Sequence, residues 1–347
     1  MLELNHPKAK QQERRSHEGW NIAELLKMHL GFAPSFILTT ALELSVFSHV
    51  AAGRRTAEEI ADAAGARPRP MRMLLDALVG MQLLARNPQG YELTPIAAQC
   101  LVRESPDYVG DMFVLARLWD SWSHLTETVR TGKPFRPVEN QEEAEEFFPQ
   151  LIRGLHVMNR EPARRTAEAL GAGNDRHGLR VLDVGCGSGV WSIAVAEADR
   201  QAHVTAQDFP GVLDTTRQFL KRHGVEDRYN FLPGNLKEVD FGVDRFDVAL
   251  LGNIVHSEGE LSSRDLFRRI HRALRSSGRM VVIDMIPNDE RTGPPFALLF
   301  AVNMLVNTEF GDTYTMAEYT RWAREAGFRD MEAVDINWHS PLVIAHK

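Results

Sequence analysis

The spacing of apolar residues divides the chain into a helical front part and a later part in which strands and helices alternate. In the front part, apolar residues recur at helical spacing between Ile22 and Leu44. The run Thr56-Ala57-Glu58-Glu59 then forms a capping box, and Arg69-Pro70 starts a second helix. Two short apolar runs flank the turn Asn87-Pro88-Gln89-Gly90. The order helix, helix, hairpin predicts a winged helix within a mostly α-helical domain.

After about residue 175, short runs rich in β-branched residues alternate with helical patterns. We expect strands ending at Asp183 and Asp208, and further strands at 229–232, 246–251, 279–286, 331–336 and 341–346, with helices at 190–199, 211–223 and 262–275. This alternation predicts an α/β fold with a Rossmann-like seven-stranded sheet that ends in a hairpin. We therefore divide the chain into a winged-helix-like dimerisation domain (1–104), a helical linker that contributes to a substrate pocket (105–174) and a cofactor-binding domain (175–347).

A glycine-rich turn after the first of these strands is the most informative motif. Residues 180–189 read RVLDVGCGSG, and Asp208 lies 208 − 185 = 23 residues after the first glycine, where a carboxylate suits a ribose diol. Val190 replaces the third glycine of a dinucleotide fingerprint, and Asp183 would repel a pyrophosphate. The two acids therefore indicate a cationic, phosphate-free nucleoside, S-adenosylmethionine. Its expected contacts are Asp183, Gly185, Gly187, Asp208 and the adjoining Phe209.

Polar residues also follow the third and fourth strands of this domain. Asn235 and Leu236 follow Gly234, where they are expected to contact the adenine, and Asn253 is a further candidate for cofactor contact. His256 comes shortly after the fourth strand, on the side where ligands bind in such sheets. A histidine there is suited to act as a general base, although a lone histidine can also be satisfied by local hydrogen bonds.

Composition restricts the partners of the protein. The chain has 347 residues and a formal net charge of −7, which argues against an extended nucleic-acid surface. Cys100 and Cys186 fall in different predicted domains, so we expect no structural disulfide and a cytoplasmic location. We expect no membrane span and, because the acidic group around Asp284 has no paired His or Cys spacing, no metal.

The order of these motifs resembles the small-molecule O-methyltransferase family of the plant caffeate and acetylserotonin type, in its bacterial branch. The resemblance rests on the winged-helix pattern followed by these motifs: Leu-Asp-Val-Gly-Cys-Gly-Ser-Gly, Asp208-Phe209-Pro210, Gly234-Asn235-Leu236, Asn253-Ile254-Val255-His256 and Gly311-Asp312-Thr313-Tyr314-Thr315. It implies the class I methyltransferase fold, a homodimer joined through the front domain, and S-adenosylmethionine as methyl donor. His256 would then be the base, and Asp284 matches an acid that orients it.

The family resemblance and the aromatic-rich middle of the chain lead us to expect a small aromatic or polyketide-like substrate. Its candidate contacts are Trp119, Met158, Met304 and Asn307. The chain departs from the usual family pattern at Ser257 and Glu258, which follow the histidine, and at Gly252, four residues before it. Two alternatives to O-methylation remain open: a C-methyltransferase or non-methylating enzyme using the same cofactor, and a regulator that binds DNA through its winged helix.

Overall fold

The computed structural model describes residues 21–113, 116–135, 137 and 141–347, apart from the side chains of 116, 117 and 141–150. The chain divides into two compact units, Met1–Val114 and Leu115–Lys347. This boundary falls inside the segment 105–174 that the sequence predicts as a linker, and the three-part division stays an interpretation. The first 20 residues of the predicted dimerisation domain lie outside the described residues.

The described part of the first unit contains the predicted helices and hairpin. Its elements are α1 (Ile22–His29), α2 (Phe32–Glu43), α3 (Val46–Ala51), α4 (Ala57–Ala63), α5 (Pro68–Gly80), β1 (Leu84–Asn87), β2 (Gly90–Leu93), α6 (Pro95–Cys100) and α7 (Gly110–Phe113). The capping box forms as predicted, because Thr56 Oγ1 accepts from the Glu59 amide at 3.2 Å and the Glu59 carboxylate accepts from the Thr56 amide at 3.0 Å. Helices α4 and α5 and the hairpin pack around Ile60, Leu75 and Leu78, which are fully buried.

The first two helices have apolar side chains that are exposed in the described part of this unit. No residue of α1 is buried, and Ile22 and Leu26 are 73% and 57% exposed. Within the described residues, Ile22–Glu43 is the one helical stretch that is long and apolar enough to cross a membrane by length and composition. Leu30 and Gly31 interrupt this stretch between α1 and α2. Exposed apolar surface of this extent marks a contact surface.

The second unit is a sheet with helices on both faces. Its helices are α8 (Ala116–Ser123), α9 (Leu125–Thr131), α10 (Gln141–Ala169), α11 (Val190–Ala198), α12 (Pro210–His223), α13 (Val255–Ala273), α14 (Pro295–Asn307) and α15 (Met316–Ala326). Its strands are β3 (Arg180–Val184), β4 (His203–Asp208), β5 (Tyr229–Pro233), β6 (Phe246–Gly252), β7 (Leu274–Ile283), β8 (Asp330–Val334) and β9 (Leu342–His346). One apolar cluster lies around Val181 and Val248, and another lies around Leu182 and Ala249, so adjacent residues of one strand enter different cores.

The seven strands lie in the order β5-β4-β3-β6-β7-β9-β8. The first five are mutually parallel, and β9 runs antiparallel to both β7 and β8. The predicted seven-stranded sheet with its terminal hairpin is therefore confirmed. The carboxyl ends of β3, β4, β6 and β7 meet at one edge, where the loops that follow them carry the predicted site residues.

The helix between β6 and β7 differs from its prediction. The sequence indicates a helix over 262–275, whereas α13 begins at Val255 and ends at Ala273. Gly259 interrupts α13 with non-helical backbone angles (φ 74°, ψ 162°), so a short first turn carries His256 and a longer segment follows. The glycine in this first turn hides the helical apolar period from sequence analysis.

Candidate active site

His256 and Asp284 form a buried pair at the carboxyl edge of the sheet. Asp284 directly follows β7, and its Oδ1 lies 2.6 Å from His256 Nδ1. Its Oδ2 accepts a hydrogen bond from the His256 amide at 3.0 Å, and its Oδ1 also accepts from the Met285 amide at 2.8 Å. Asp284 has no exposed surface and His256 is 8% exposed. Because a carboxylate at Nδ1 accepts a hydrogen, the Nε2 atom of the neutral ring carries the lone pair.

The loop between α14 and α15 closes around the histidine. The Asp312 amide donates to the His256 carbonyl at 2.9 Å, and the ring of Phe300 on α14 meets the imidazole edge to face with centroids 4.9 Å apart. A Cβ on Gly311 would lie 2.5 Å from the His256 carbonyl oxygen and 3.3 Å from Cβ of Met304. The packing therefore requires glycine at this position.

The glycine turn after β3 adopts a conformation that favours glycine. Gly185, Gly187 and Gly189 have φ of 60°, 55° and 75°, in the left-handed region. A Cβ on Gly185 would lie 2.9 Å from Cδ1 of Ile254, in the loop that leads to His256. The Gly187 amide donates to Asp208 Oδ2 at 2.9 Å, so the acid at the end of β4 holds the turn.

The two acids of the predicted cofactor site differ in their partners. Asp208 accepts from the amides of Gly187 and Phe209, at 2.9 and 2.8 Å. Asp183 is buried and its Oδ2 accepts from the Ser192 hydroxyl at 2.5 Å, whereas its Oδ1 has no hydrogen-bond partner among the described residues. Burial raises the pKa of Asp183 to about 7 and that of Asp208 to about 6. The site therefore brings two acidic groups together, and no Lys, Arg or His side chain among the described residues is paired with Asp183.

Gln207 is a site residue that the sequence analysis missed. Its Oε1 accepts from the Gly185 amide at 3.3 Å and its Nε2 donates to the Gly234 carbonyl at 2.7 Å, so it joins the loops after β3 and β5. The side chain is 1% exposed. A polar residue at the carboxyl end of a parallel strand, next to Asp208, was the available signal.

The remaining predicted cofactor contacts lie in the loops after β5 and β6. Asn235 Oδ1 accepts from the Lys237 amide at 3.0 Å, which forms a local turn, and Leu236 is 9% exposed. Asn253 adopts φ 58° and donates its amide to the Ile283 carbonyl at 2.8 Å. Its Oδ1 is buried without a hydrogen-bond partner among the described residues. These residues share the carboxyl edge with the glycine turn, and their role in cofactor contact stays a prediction.

The structure brings together only some of the predicted substrate contacts. Met304 and Asn307 lie on α14 and are each 7% exposed. The side-chain Nδ2 of Asn307 donates to the backbone carbonyl and to Oδ1 of Asn303. Asn303 Oδ1 also accepts from Trp122 Nε1, on α8, at 3.3 Å. Helix α8, which carries Trp119, thus reaches α14, whereas Met158 on α10 is 51% exposed. All four remain candidates.

A tryptophan explains why glycine stands at position 252. A Cβ on Gly252 would lie 2.3 Å from Cδ1 of Trp191, whose side chain is 3% exposed beneath the strand ends. The indole therefore occupies the space that a lysine or arginine at position 252 would enter. Among the described residues, no group of three or more His, Cys, Asp or Glu side chains has the arrangement of a metal site.

The sequence and the fold match a family of known enzymes. Residues 122–329 match the family model of the O-methyltransferase domain, and residues 26–103 match that of the O-methyltransferase dimerisation domain. The chain belongs to this O-methyltransferase family and is a methyltransferase.

Two curated relatives align along most of their length. The tetracenomycin polyketide synthesis 8-O-methyl transferase TcmO of Streptomyces glaucescens is 30% identical over 331 residues, covering 93% of this chain and 96% of the relative. The 3-hydroxy-5-methyl-1-naphthoate 3-O-methyltransferase of Streptomyces sahachiroi is 32% identical over 308 residues, covering 86% of each.

Two crystal structures share the fold. A proposed O-methyltransferase from Nostoc punctiforme has a TM-score of 0.85 and 30% identity, covering 95% of this chain and 100% of that chain. Human N-acetylserotonin methyltransferase, in complex with S-adenosylmethionine, has a TM-score of 0.84 and 24% identity, covering 96% of this chain and 99% of that chain. The second similarity concerns the fold alone.

Proposed function

We propose that the protein transfers the methyl group of S-adenosylmethionine to a phenolic hydroxyl of a small aromatic or polyketide-like molecule, with His256 as general base. The observation that carries this proposal is the 2.6 Å contact between His256 Nδ1 and Asp284 Oδ1 at the carboxyl edge of the sheet. The two Streptomyces relatives act on a polyketide and on a hydroxynaphthoate, which supports an aromatic hydroxyl as acceptor.

The pair is arranged for proton removal at a single atom. Asp284 fixes the tautomer and, through its bond to the His256 amide, also the start of α13. Nε2 then accepts the hydroxyl proton while the oxygen attacks the methyl carbon. A free phenol and a free imidazole differ by about 3.5 pKa units, or roughly 4.8 kcal/mol, so complete transfer before attack would be uphill. Proton loss therefore accompanies attack, and Asp284 stabilises the imidazolium that forms.

The cofactor residues fit a cationic nucleoside. When bound, S-adenosylmethionine supplies an electrophilic methyl group on a sulfonium and carries an ammonium group. Asp183 offers a buried oxygen without a protein partner, and the turn at Gly185 and Gly187 lets a ligand approach the backbone. We assign Asp208 to the ribose and Asn235 and Leu236 to the adenine. Phe209 and Asn253 complete the proposed contacts.

Orientation of the acceptor supplies the larger share of the expected rate gain. General-base assistance is typically worth about 10²–10⁴-fold, whereas orientation can supply roughly 7–11 kcal/mol. Phe300 packs against the His256 ring and would hold a flat acceptor near Nε2, and Met304 on the same helix is a further candidate. Trp119, Asn307 and the exposed Met158 are weaker candidates for this role.

We also propose that the protein is a homodimer joined through the front unit. The dimerisation-domain match covers residues 26–103, and helices α1 and α2 expose apolar side chains such as Leu26 and Phe32. A second copy of the chain would cover this surface.

The substitution His256→Ala tests the proposed base. Turnover with a hydroxynaphthoate acceptor should fall at least a hundredfold because the proton acceptor is lost. Affinity for S-adenosylhomocysteine, measured by calorimetry, should stay within about twofold. His346→Ala, which removes another histidine paired with a carboxylate at the far edge of the sheet, serves as the matched control.

Two outcomes would contradict the assignment. Undiminished turnover of His256→Ala would remove this residue from the mechanism. A product that gains its methyl group on carbon, located by NMR, would refute transfer to a hydroxyl.

A further inference from the structure

Four side chains form a continuous hydrogen-bonded line behind the glycine turn, which we call the Glu197–Ser188 line. Glu197 Oε1 lies 2.7 Å from His223 Nδ1, His223 Nε2 lies 3.3 Å from His156 Nε2, and His156 Nδ1 lies 3.0 Å from Ser188 Oγ. These residues come from α11, α12, α10 and the turn itself. The proposed chemistry at His256 uses none of them.

The line runs from the surface to the buried side of the turn. Glu197, His223 and His156 line an open cavity of about 630 Å³ between α10 and α11, although His156, like Ser188, is only 5% exposed. His156 stacks on Phe219 with ring centroids 4.2 Å apart, which fixes its plane. A group in contact with solvent is thus linked to the segment that carries Gly187 and Gly189.

A single hydrogen lies between His223 Nε2 and His156 Nε2. Two Nε2 atoms at this distance need one donor and one acceptor. When both rings are neutral, Glu197 accepts from His223 Nδ1, so His223 Nε2 accepts from His156 Nε2. His156 Nδ1 then has no hydrogen and accepts from the Ser188 hydroxyl.

A proton taken up from solvent reverses this direction. The shared hydrogen moves to His223 Nε2, which leaves His223 charged beside Glu197. The added proton ends on His156 Nδ1, and Ser188 Oγ becomes the acceptor. The charge belongs on His223 because burial, together with the cations of His223, Arg160 and Arg222, lowers the pKa of His156 to about 3.

The reversal affects the turn because the Ser188 hydroxyl hydrogen loses its acceptor. A buried hydroxyl without an acceptor is unfavourable, so the turn must adjust. Asp208 and Gln207 hold the turn from its other side. The conformation that they hold is therefore compatible with the neutral histidine pair and not with the protonated pair.

We infer that His156 is a positioning residue for the cofactor turn, acting through Ser188, and that protonation of His223 weakens cofactor binding. This inference rests on the proposed function, since it assumes that the glycine turn binds the nucleoside. By linkage, bound cofactor must also weaken proton binding at His223.

Charged groups beside the histidine pair and titrating carboxylates in the cleft set the design of the test. Arg160, Arg222 and Glu197 face the histidine pair, and Asp183 and Asp208 in the cleft have raised pKa values. The carboxylates in the cleft will themselves make cofactor affinity depend on pH. Their contribution is the same in a variant that changes only His223.

The experiment compares three proteins by calorimetry with S-adenosylhomocysteine between pH 5.5 and 8, the range in which imidazoles titrate. His223→Gln can hydrogen bond in either direction but does not titrate, and His346→Gln is the matched control beside Glu332. At pH 8 all three should bind alike. At pH 5.5 the wild type and His346→Gln should bind at least threefold more weakly than His223→Gln.

An NMR titration of the His223 ring supplies a second readout, in which its midpoint should fall when S-adenosylhomocysteine is bound. If His223→Gln does not fold, Glu197→Gln replaces it and should shift the wild-type pH profile.

Parallel pH profiles for wild type and His223→Gln, with normal binding at pH 8, would overturn this inference alone. Absence of binding in every protein at pH 8 would overturn the proposed function as well. A pH effect that disappears with a chelator would assign the effect to a metal ion between the rings and overturn the proton account.

Discussion

Asp284 and Asp183 are both buried carboxylates at the carboxyl edge of one sheet, yet their surroundings differ. Asp284 is matched by the His256 ring, the His256 amide and the Met285 amide. Asp183 accepts from Ser192 at one oxygen, and its other oxygen has no partner among the residues that the structure describes. The hydrogen bonds of Asp284 are thus satisfied by protein groups, whereas Asp183 keeps one buried oxygen without a partner among the described residues.

The difference in surroundings predicts which property each carboxylate affects. A matched pair is preorganised, so it needs no rearrangement when the substrate arrives. An unmatched buried carboxylate costs folding free energy that a cationic ligand can recover. We therefore expect substitutions at Asp284 to act on turnover and substitutions at Asp183 to act on affinity and stability.

The largest effect should come from Asp284→Asn. The amide can donate to His256 Nδ1 and favour the wrong tautomer, so turnover should fall between tenfold and the roughly 10⁴-fold seen for the analogous carboxylate of serine proteases. Affinity for S-adenosylhomocysteine should be unchanged. Asp247→Asn is the matched control, because Asp247 lies near the start of β6, at the opposite edge of the same sheet. Equal losses of turnover in both variants would mean that the effect is structural.

A smaller effect is expected from Asp183→Asn. Loss of a charge-assisted hydrogen bond should weaken S-adenosylhomocysteine binding about tenfold. Turnover at saturating cofactor should change by less than about threefold. A loss of turnover at saturation as large as that of Asp284→Asn would show that the two carboxylates do not have separate roles.

The smallest effect concerns stability against pH. The pKa of Asp183 is raised to about 7 in the folded protein, so between about pH 4 and 7 the folded state binds a proton that the unfolded state has released. The stabilising contribution is complete at low pH and is lost as pH rises through 7. Raising the pH from 5 to 7.5 should lower the Tm of the ligand-free protein by on the order of 5 °C more than that of Asp183→Asn. Identical shifts in the two proteins would contradict the raised pKa.

Sequence analysis predicted the sheet well because β-branched runs and the glycine turn are local signals. It placed His256, Asp208 and Gly187 at the strand ends, where the structure has them. It could not find Gln207 or the His156–His223 pair, because their roles depend on contacts between elements far apart in the chain. The predicted start of α13 was wrong because Gly259 interrupts the helical spacing of apolar residues.

The sequence also could not predict how exposed the apolar side chains of α2 are. The apolar pattern of α2 is typical of a helix that is buried on most faces, either in a core or against another subunit, and within the single chain only Ala41 and Leu42 of that helix are buried. Pattern alone does not distinguish a core helix from one that a second chain covers.

Proton release on cofactor binding tests the central comparison most directly. Calorimetry of S-adenosylhomocysteine binding at pH 7, in two buffers with different ionisation enthalpies, counts the protons exchanged. If the ammonium group meets Asp183, whose pKa is about 7, binding should release about half a proton from this group. Asp183→Asn should lose that release. Binding without proton release in the wild type, or equal release in the variant, would contradict the account.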